Sequence, residues 1–466
     1  MIEFALLLQV LVFAAVCLTF VASRDSSFFH PIVLYLLFHF LVFVARPLMV
    51  HFFNFTTMWR YMEFTPNEFQ FLDTLAVSSA GLVIFCITAW YAGRVRTEFV
   101  AQDLPQWTVP EKRSFLVVLA LVGPFAVYSA IFAKGGISLE GEGNIQMTKD
   151  LATGIAVYTN TTGYLADAHT MMGTLFILFL WRFNFRLWAY APFLAFLAYR
   201  AFLGWGRWAM IVSVMSLLLI FLYRHHRRWL NPKYLLIIVP VFILFQSLGM
   251  NRDLVRNYVE EKGVALADAP VYQKSSSFID DLDNPDFGNF EYLAFVLSVV
   301  PERSQTYTYF TQYLQLFTEP IPRMLWPEKP IGAPITLINL NDFGNFFGMT
   351  TSLVGDGWMS LGWIGMLLTL GASGLGLGAL HRWFWHNQTN PRSAMIYFVF
   401  LPLTISWYRD GGIGIAKVTL WTILPILLWS FFSKLIAGLQ GDRPRFRFSL
   451  RRQYRPLPPR PWERRK

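Results

Sequence analysis

The sequence predicts an all-α polytopic membrane protein with about eleven transmembrane helices, and three observations lead there. The 466 residues are 55% hydrophobic and 17% aromatic with a mean hydropathy of +0.42, while charged residues make up 15%, well below the quarter usual in a soluble domain. Apolar stretches long enough to cross a hydrocarbon core of about 30 Å recur from one end of the chain to the other. Basic residues gather in alternate loops between those stretches, which is the pattern of cytoplasmic connections.

The spans are expected over 3–22, 31–51, 71–92, 114–133, 163–181, 187–203, 208–223, 234–250, 356–380, 393–408 and 412–435, with ten and twelve as the neighbouring counts. The first lacks a basic start and a small-residue cleavage site, so it reads as a retained helix rather than a signal peptide. Arg94, Arg96, Lys112 and Arg113 follow span three, Arg182 and Arg186 follow span five, and Arg224, Arg227, Arg228 and Lys233 follow span seven. These loops, with Arg382 and Arg392 and the carboxyl terminus, are expected in the cytoplasm, and the amino terminus outside. A single membrane domain over 1–440 is therefore expected in a bacterial inner membrane, with its working face towards the periplasm. Residues 441–466 form a basic, proline-rich tail with ten Arg or Lys, expected to be disordered beside anionic lipid. The formal charge of +10 is largely explained by that tail and the basic loops, so no nucleic-acid partner is expected. Cys17 and Cys86 lie in apolar runs and read as small buried hydrophobes rather than as a disulfide or a metal site.

The opposite face carries the loop 134–162 and the largest soluble feature, a periplasmic loop over 251–355. Within it, the stretch 287–317 is interrupted by Pro301 and reads as two helices on or dipping into the interface. The acidic run 280–286 lacks the glycine and terminal glutamate of an EF-hand loop, and no resident metal is assigned to it. The face also collects arginines: Arg46 closes span two, Arg200 and Arg207 flank the turn between spans six and seven, Arg252 leaves span eight, Arg323 precedes span nine and Arg409 lies between spans ten and eleven. Each alone has a plain alternative, snorkelling to lipid headgroups. Six on the side that disfavours positive charge call for a shared anion, and the guanidinium fork suits phosphate oxygens. Lys417 lies about two turns into span eleven and needs an anionic partner or a wet cavity.

Four strings carry more specific information. Ile321-Pro-Arg-Met-Leu-Trp-Pro-Glu-Lys-Pro330 sets three prolines around Arg323 and cannot be a regular helix. Thr350-Thr-Ser-Leu-Val-Gly-Asp356-Gly-Trp-Met-Ser-Leu-Gly-Trp-Ile-Gly365 puts a carboxylate at the outer start of a glycine-rich span. Gly204-Trp-Gly-Arg207-Trp-Ala-Met210 and Tyr408-Arg409-Asp410-Gly-Gly412 each present an arginine at a turn.

In this order the strings resemble the O-antigen polymerase family, the Wzy-type polymerases of oligosaccharide repeat units. The resemblance runs from span five to span eleven, while the first four spans match in hydropathy alone. It implies a GT-C-like polymerase and ligase architecture, and a glycosyltransferase acting on undecaprenyl-diphosphate-linked oligosaccharides as donor and acceptor, without a cofactor. The growing chain would leave its lipid diphosphate and join a newly arrived repeat. Preorganised cations would stabilise the charge on that leaving group, with Arg207, Arg323 and Arg409 as the clamp and Arg252, Arg46 and Lys329 as second choices. Asp356 is the first candidate for the base that activates the acceptor hydroxyl, followed by His169 and Glu319. Plain roles stand beside these: a helix-start carboxylate for Asp356 and a satisfied helix-end histidine for His169. The outer tyrosines, including Tyr292, Tyr307, Tyr309 and Tyr313, and Trp326 suit sugar stacking but equally an aromatic belt. An O-antigen ligase and a lipid-linked oligosaccharide flippase are the competing functions, and a chain-length regulator is a candidate partner.

Overall fold

The computed structural model describes residues 1–95, 99, 104–130, 147–149, 156–158, 168–203, 207–231, 233, 283, 288–318, 320–321, 325–326, 335–344 and 350–439. Span eight, most of the clamp string (including Arg323), Arg252, Glu319, Lys329 and the basic tail lie outside the described residues, as do the side chains of Arg200, Arg207 and Lys417.

Helix dominates. α1 (Ile2–Ala22) is followed by α2 (Pro31–His39), a π-helical stretch (Phe40–Ala45) and α3 (Arg46–Phe52), which run on as one rod. Pro31 at the first helical position and the His30 side chain, which accepts from the Ile32 N–H, start that rod. After the short α4 (Thr57–Tyr61), α5 (Glu68–Gly93) opens on a capping box between Asn67 and Gln70, and α6 (Val109–Tyr128) on one between Thr108 and Glu111. The loop 134–162 contributes a small antiparallel hairpin, β1 (Met147–Lys149) with β2 (Ala156–Tyr158), Thr148 opposite Val157. Then come α7 (Met171–Arg182), α8 (Ala191–Leu203), α9 (Arg207–Arg224), α10 (Asn289–Val299) and the single turn α11 (Gln315–Thr318). The last part holds α12 (Ser352–His386), α13 (Pro391–Phe400), α14 (Thr404–Asp410) and α15 (Gly412–Leu439).

Among the described residues, five segments are long and apolar enough to cross a membrane: Ile2–Ala22, Pro31–Phe52, Glu68–Gly93, Ser352–His386 and Val418–Leu439. The chain is a helical membrane protein. Its centre is the pair α5 and α12, which approach closely because the facing residues are small. A methyl group on Gly378 would stand 2.9 Å from the Gly93 nitrogen, and one on Gly374 3.1 Å from the Ala89 nitrogen.

α12 is not one straight span. Gly362 takes φ +59°, ψ −137°, a conformation without penalty only for glycine, and Leu361 is also non-helical. The chain turns there, and Ser352–Ser360 folds back on the helix that follows. Gly357 makes this possible: a methyl group on it would stand 2.8 Å from the Met366 Cα and 3.0 Å from the Thr369 Cβ. In an unbroken helix Gly357 and Thr369 would be about 18 Å apart along the axis. The expected span from 356 is thus a helical hairpin, with Asp356 on its short limb. The limb's last carbonyls are not left bare, since Met359 accepts from the Thr308 N–H at 2.8 Å and Ser360 from the Tyr309 N–H at 3.0 Å.

Helix ends meet in two groups. At one end the Phe28 N–H donates to the Arg228 carbonyl, Tyr397 to Phe29, Trp181 to Pro105, and Arg392 pairs with Glu111 at 3.0 Å. At the other lie Arg46, Asn289, Thr350, Asp356 and Arg409, joined as described below. The interfacial helices expected over 287–317 take a different form. α10 is enclosed by protein, every residue but Leu297 being buried among α5, α12 and the π-helical stretch, because its apolar residues lie all round it. After Pro301 the chain runs through turns to a 3₁₀ turn, Thr311–Leu314, with Tyr309 and Phe310 both left-handed.

Candidate functional site

The site is built where the short limb of α12 meets the break between α14 and α15. Asp356 is buried, 7% exposed, and three donors hold its carboxylate. Gln312 Nε2 donates to Oδ1 at 3.1 Å, and the Tyr313 hydroxyl and the Gly412 N–H donate to Oδ2 at 2.7 and 3.1 Å. Gln312 also donates to Ser360 Oγ at 2.8 Å, which fixes the amide against the limb. Burial, with the Asp356 carboxylate beside it, pushes the Tyr313 hydroxyl well above its ordinary range, so it remains a proton donor. Gly411, at φ +86°, ends α14, and a side chain there would lie against the Asp356 carboxyl group at 3.3 to 3.4 Å. At Gly412 a methyl group would stand 2.5 Å from Tyr313 Cε1. Both glycines are needed for the approach.

Arg409 stands at the carboxyl end of α14, where the helix dipole favours a cation. Its Nη1 lies 3.7 Å from Asp410 Oδ1, and its carbonyl accepts from Asn289 Nδ2 at 3.1 Å. The same amide donates to the Thr350 carbonyl at 2.9 Å and to Thr350 Oγ1 at 3.2 Å. Asn289 therefore ties α10 to the entrance of α12 and the exit of α14. The string around Asp356 and the string around Arg409 are brought together, as the sequence reading required for a shared site.

Comparison of the chain with protein-family models, with curated proteins and with solved structures finds no match.

Arg46 is placed otherwise than at a phosphate clamp. It is 1% exposed, and Nη2 lies 2.6 Å from both Glu291 Oε1 and Asp283 Oδ1, while Nε donates to Glu291 Oε1 at 2.6 Å. The guanidinium also faces the Phe55 ring, 5.1 Å from its centroid. Asp283, the described member of the acidic run, takes the Thr57 N–H at 2.9 Å as well. The fork that a diphosphate would use is filled by two carboxylates. Burial pushes the Glu291 carboxyl above the ordinary carboxylate range, and Arg46 draws it partly back.

His169 sits in a 3₁₀ turn before α7; its Nδ1 lies 3.3 Å from Ser129 Oγ, which also accepts from the His169 N–H at 3.0 Å. That is the satisfied helix-end histidine of the plain reading. Arg207 opens α9 as its first residue, where the sequence put it.

Four residues of this end were not singled out from the sequence: Asn289, Glu291, Gln312 and, as a partner of Asp356, Tyr313. Glu291 had a signal, a carboxylate inside the apolar run from Phe290 to Val300. Gln312 had none, because a neutral amide in a turn is common anywhere on a surface.

Proposed function

We propose that this chain is a glycosyltransferase that polymerises polyprenyl-diphosphate-linked oligosaccharide repeat units at the outer face of a bacterial inner membrane, on an eleven-span, GT-C-like scaffold. One observation above all supports the reading. The Gly-Asp-Gly-Trp string and the Arg-Asp-Gly-Gly string, which carry much of the resemblance, meet in one cluster through Asp356 and Gly412.

The chemistry fits a diphosphate leaving group. Asp356 is the base or the charge that faces the anomeric centre; among the described residues its hydrogen bonds come from neutral donors, none of which carries a cancelling charge. Arg409 is the nearest described cation on the adjoining string, and Arg207 and Arg323 complete the proposed clamp. Glu319 and His169 follow Asp356 as bases, and Arg252 and Lys329 remain second choices for phosphate. Arg46 is better read as a staple for α10.

Deleting the chain from its host separates the readings. A polymerase predicts surface glycan reduced to single capped repeats, whereas long lipid-linked chains left unattached would mean a ligase. Purified protein in detergent is expected to lengthen lipid-linked repeats with no gradient present. Movement of the lipid across liposomes without lengthening would mean a flippase. Arg323→Lys, which keeps charge but loses the fork, is expected to abolish long chains.

A further inference from the structure

A second set of polar groups lies inside the helix bundle, away from the Asp356 cluster. His30 and His381 pack ring to ring with centroids 4.4 Å apart, both fully buried. His30 Nδ1 accepts from the Ile32 N–H at 3.3 Å, so its Nε2 carries the hydrogen of the neutral ring. His381 Nδ1 lies 3.3 Å from the Gly93 carbonyl and must donate to it, so its Nε2 carries the lone pair. The pair thus holds one donor and one acceptor, and among the described residues no protein group hydrogen-bonds to either Nε2.

The same condition continues along α2 and α14. The Tyr35 hydroxyl and both ring nitrogens of His39 are buried with no hydrogen-bond partner among the described residues, and the buried Tyr408 hydroxyl has the Thr404 side chain alone within bonding reach among them. Tyr35 bridges them, its ring 4.9 Å from Tyr408 and 5.8 Å from His39 by centroids. Two residues beyond Tyr408, Asp410 Oδ1 is also buried without a hydrogen bond, with Arg409 Nη1 3.7 Å away and the Thr350 side chain bonded to the same carboxyl group. These groups are distributed between the end that holds Gly93 and the end that holds Asp356.

Scattered orphans would each be a defect; a row of them along a candidate membrane crossing, Pro31–Phe52, has a common cause. Buried polar atoms that lack a protein partner are satisfied by water, each molecule taking two or more partners. The π-helical stretch directly after His39 adds a second feature often found at functional positions.

We propose that His30, His381, Tyr35, His39, Tyr408 and Asp410 line a hydrated proton path through the helix bundle. A proton from water binds the lone pair of His381 Nε2 and leaves it for the next water. Each tyrosine hydroxyl takes a proton from one water while releasing its own to the next. His39 accepts at one nitrogen and releases from the other, and the Asp410 carboxylate takes the proton and gives it to water at the far end. Every hop breaks one N–H or O–H bond and forms another, so one proton enters for each that leaves and an imposed gradient sets the direction. The other titratable groups facing the path among the described residues are the Cys86 thiol from α5, near Tyr35 and Tyr408, the Tyr397 hydroxyl from α13, near His381 and Tyr408, and Arg409 beside Asp410. The path meets the proposed glycan site at Asp410, which pairs with Arg409 there, so proton flux is measured apart from glycan elongation.

The test uses the full chain reconstituted into liposomes holding pyranine, with a potassium gradient and valinomycin setting the potential. Wild type is expected to move protons several-fold faster than protein-free vesicles, and both His39→Leu and Tyr35→Phe to fall to the protein-free rate. Should His39→Leu fail to fold, His39→Asn of similar shape replaces it, with thermal unfolding in detergent as the check. Wild-type flux no faster than protein-free vesicles would overturn the proposal, as would folded His39 variants that conduct like wild type.

Discussion

Two carboxylates are buried at the same end of this molecule and are satisfied in opposite ways. Glu291 faces an arginine across 2.6 Å, with Asp283 on the same guanidinium; Asp356 faces an amide, a phenol and a backbone N–H. The first arrangement cancels charge and fastens one segment to another, since α3 and α10 are far apart in sequence. The second keeps an anion in place without cancelling it. A charge held by neutral dipoles is available to whatever develops positive charge or gives up a proton nearby. Arg46 and Glu291 fasten one region, while Asp356 is the carboxylate on which the proposed chemistry rests, although both regions were candidates for the same site.

The sharpest way to break the comparison is Asp356→Asn. It is expected to lower elongation of lipid-linked glycan by about 10²–10⁴-fold, read on purified protein, with the fold retained; wild-type elongation would place the chemistry elsewhere. Arg46→Met should do the reverse. Leaving two carboxylates without their counter-ion is expected to cost about 3–5 kcal/mol, read by denaturation in detergent, and activity is expected to follow the fraction folded. Gly412→Ala tests the contact between the turn and α15: its methyl group must displace the Tyr313 ring, an overpacking cost of about 1–3 kcal/mol, and chain lengths should shorten with it. Tyr313→Phe is the mildest, removing one of three donors from Asp356 for a cost of about 1 kcal/mol and a partial loss of activity; an unchanged chain-length distribution would show that this hydrogen bond does not position the carboxylate.

Helix boundaries were legible to within a few residues wherever a cap or a proline marked them, as at Pro31, Asn67 and Thr108. Hydropathy, however, is blind to chain reversal. The run 356–380 reads as one apolar span, and the turn at Leu361–Gly362 depends on two backbone angles that a glycine permits but does not demand. α10 was legible as apolar but not as enclosed, because composition alone does not distinguish the edge of a membrane from the inside of a protein. At the site, Asp356 and Arg409 were legible because charge is rare in such a chain. The inward turn of Arg46 was not, since its partners lie more than 200 residues away. The buried histidines escaped notice for a related reason: a neutral ring in an apolar helix breaks no rule of hydropathy.

The two backbone bonds from Thr308 and Tyr309 to the end of the short limb carry a consequence for how the protein is made. Residues 308–309 leave the ribosome about fifty residues before the carbonyls at 359 and 360 that they bind, roughly several seconds at ordinary rates of synthesis. During that interval α10 and the turns after it have no hairpin to rest on, and the membrane helix carrying the second limb has not been inserted. Assembly of the Asp356 cluster must therefore wait for a late, non-local closure, so slowing translation or insertion between these two positions should lower the yield of active protein while leaving the earlier helices correctly placed.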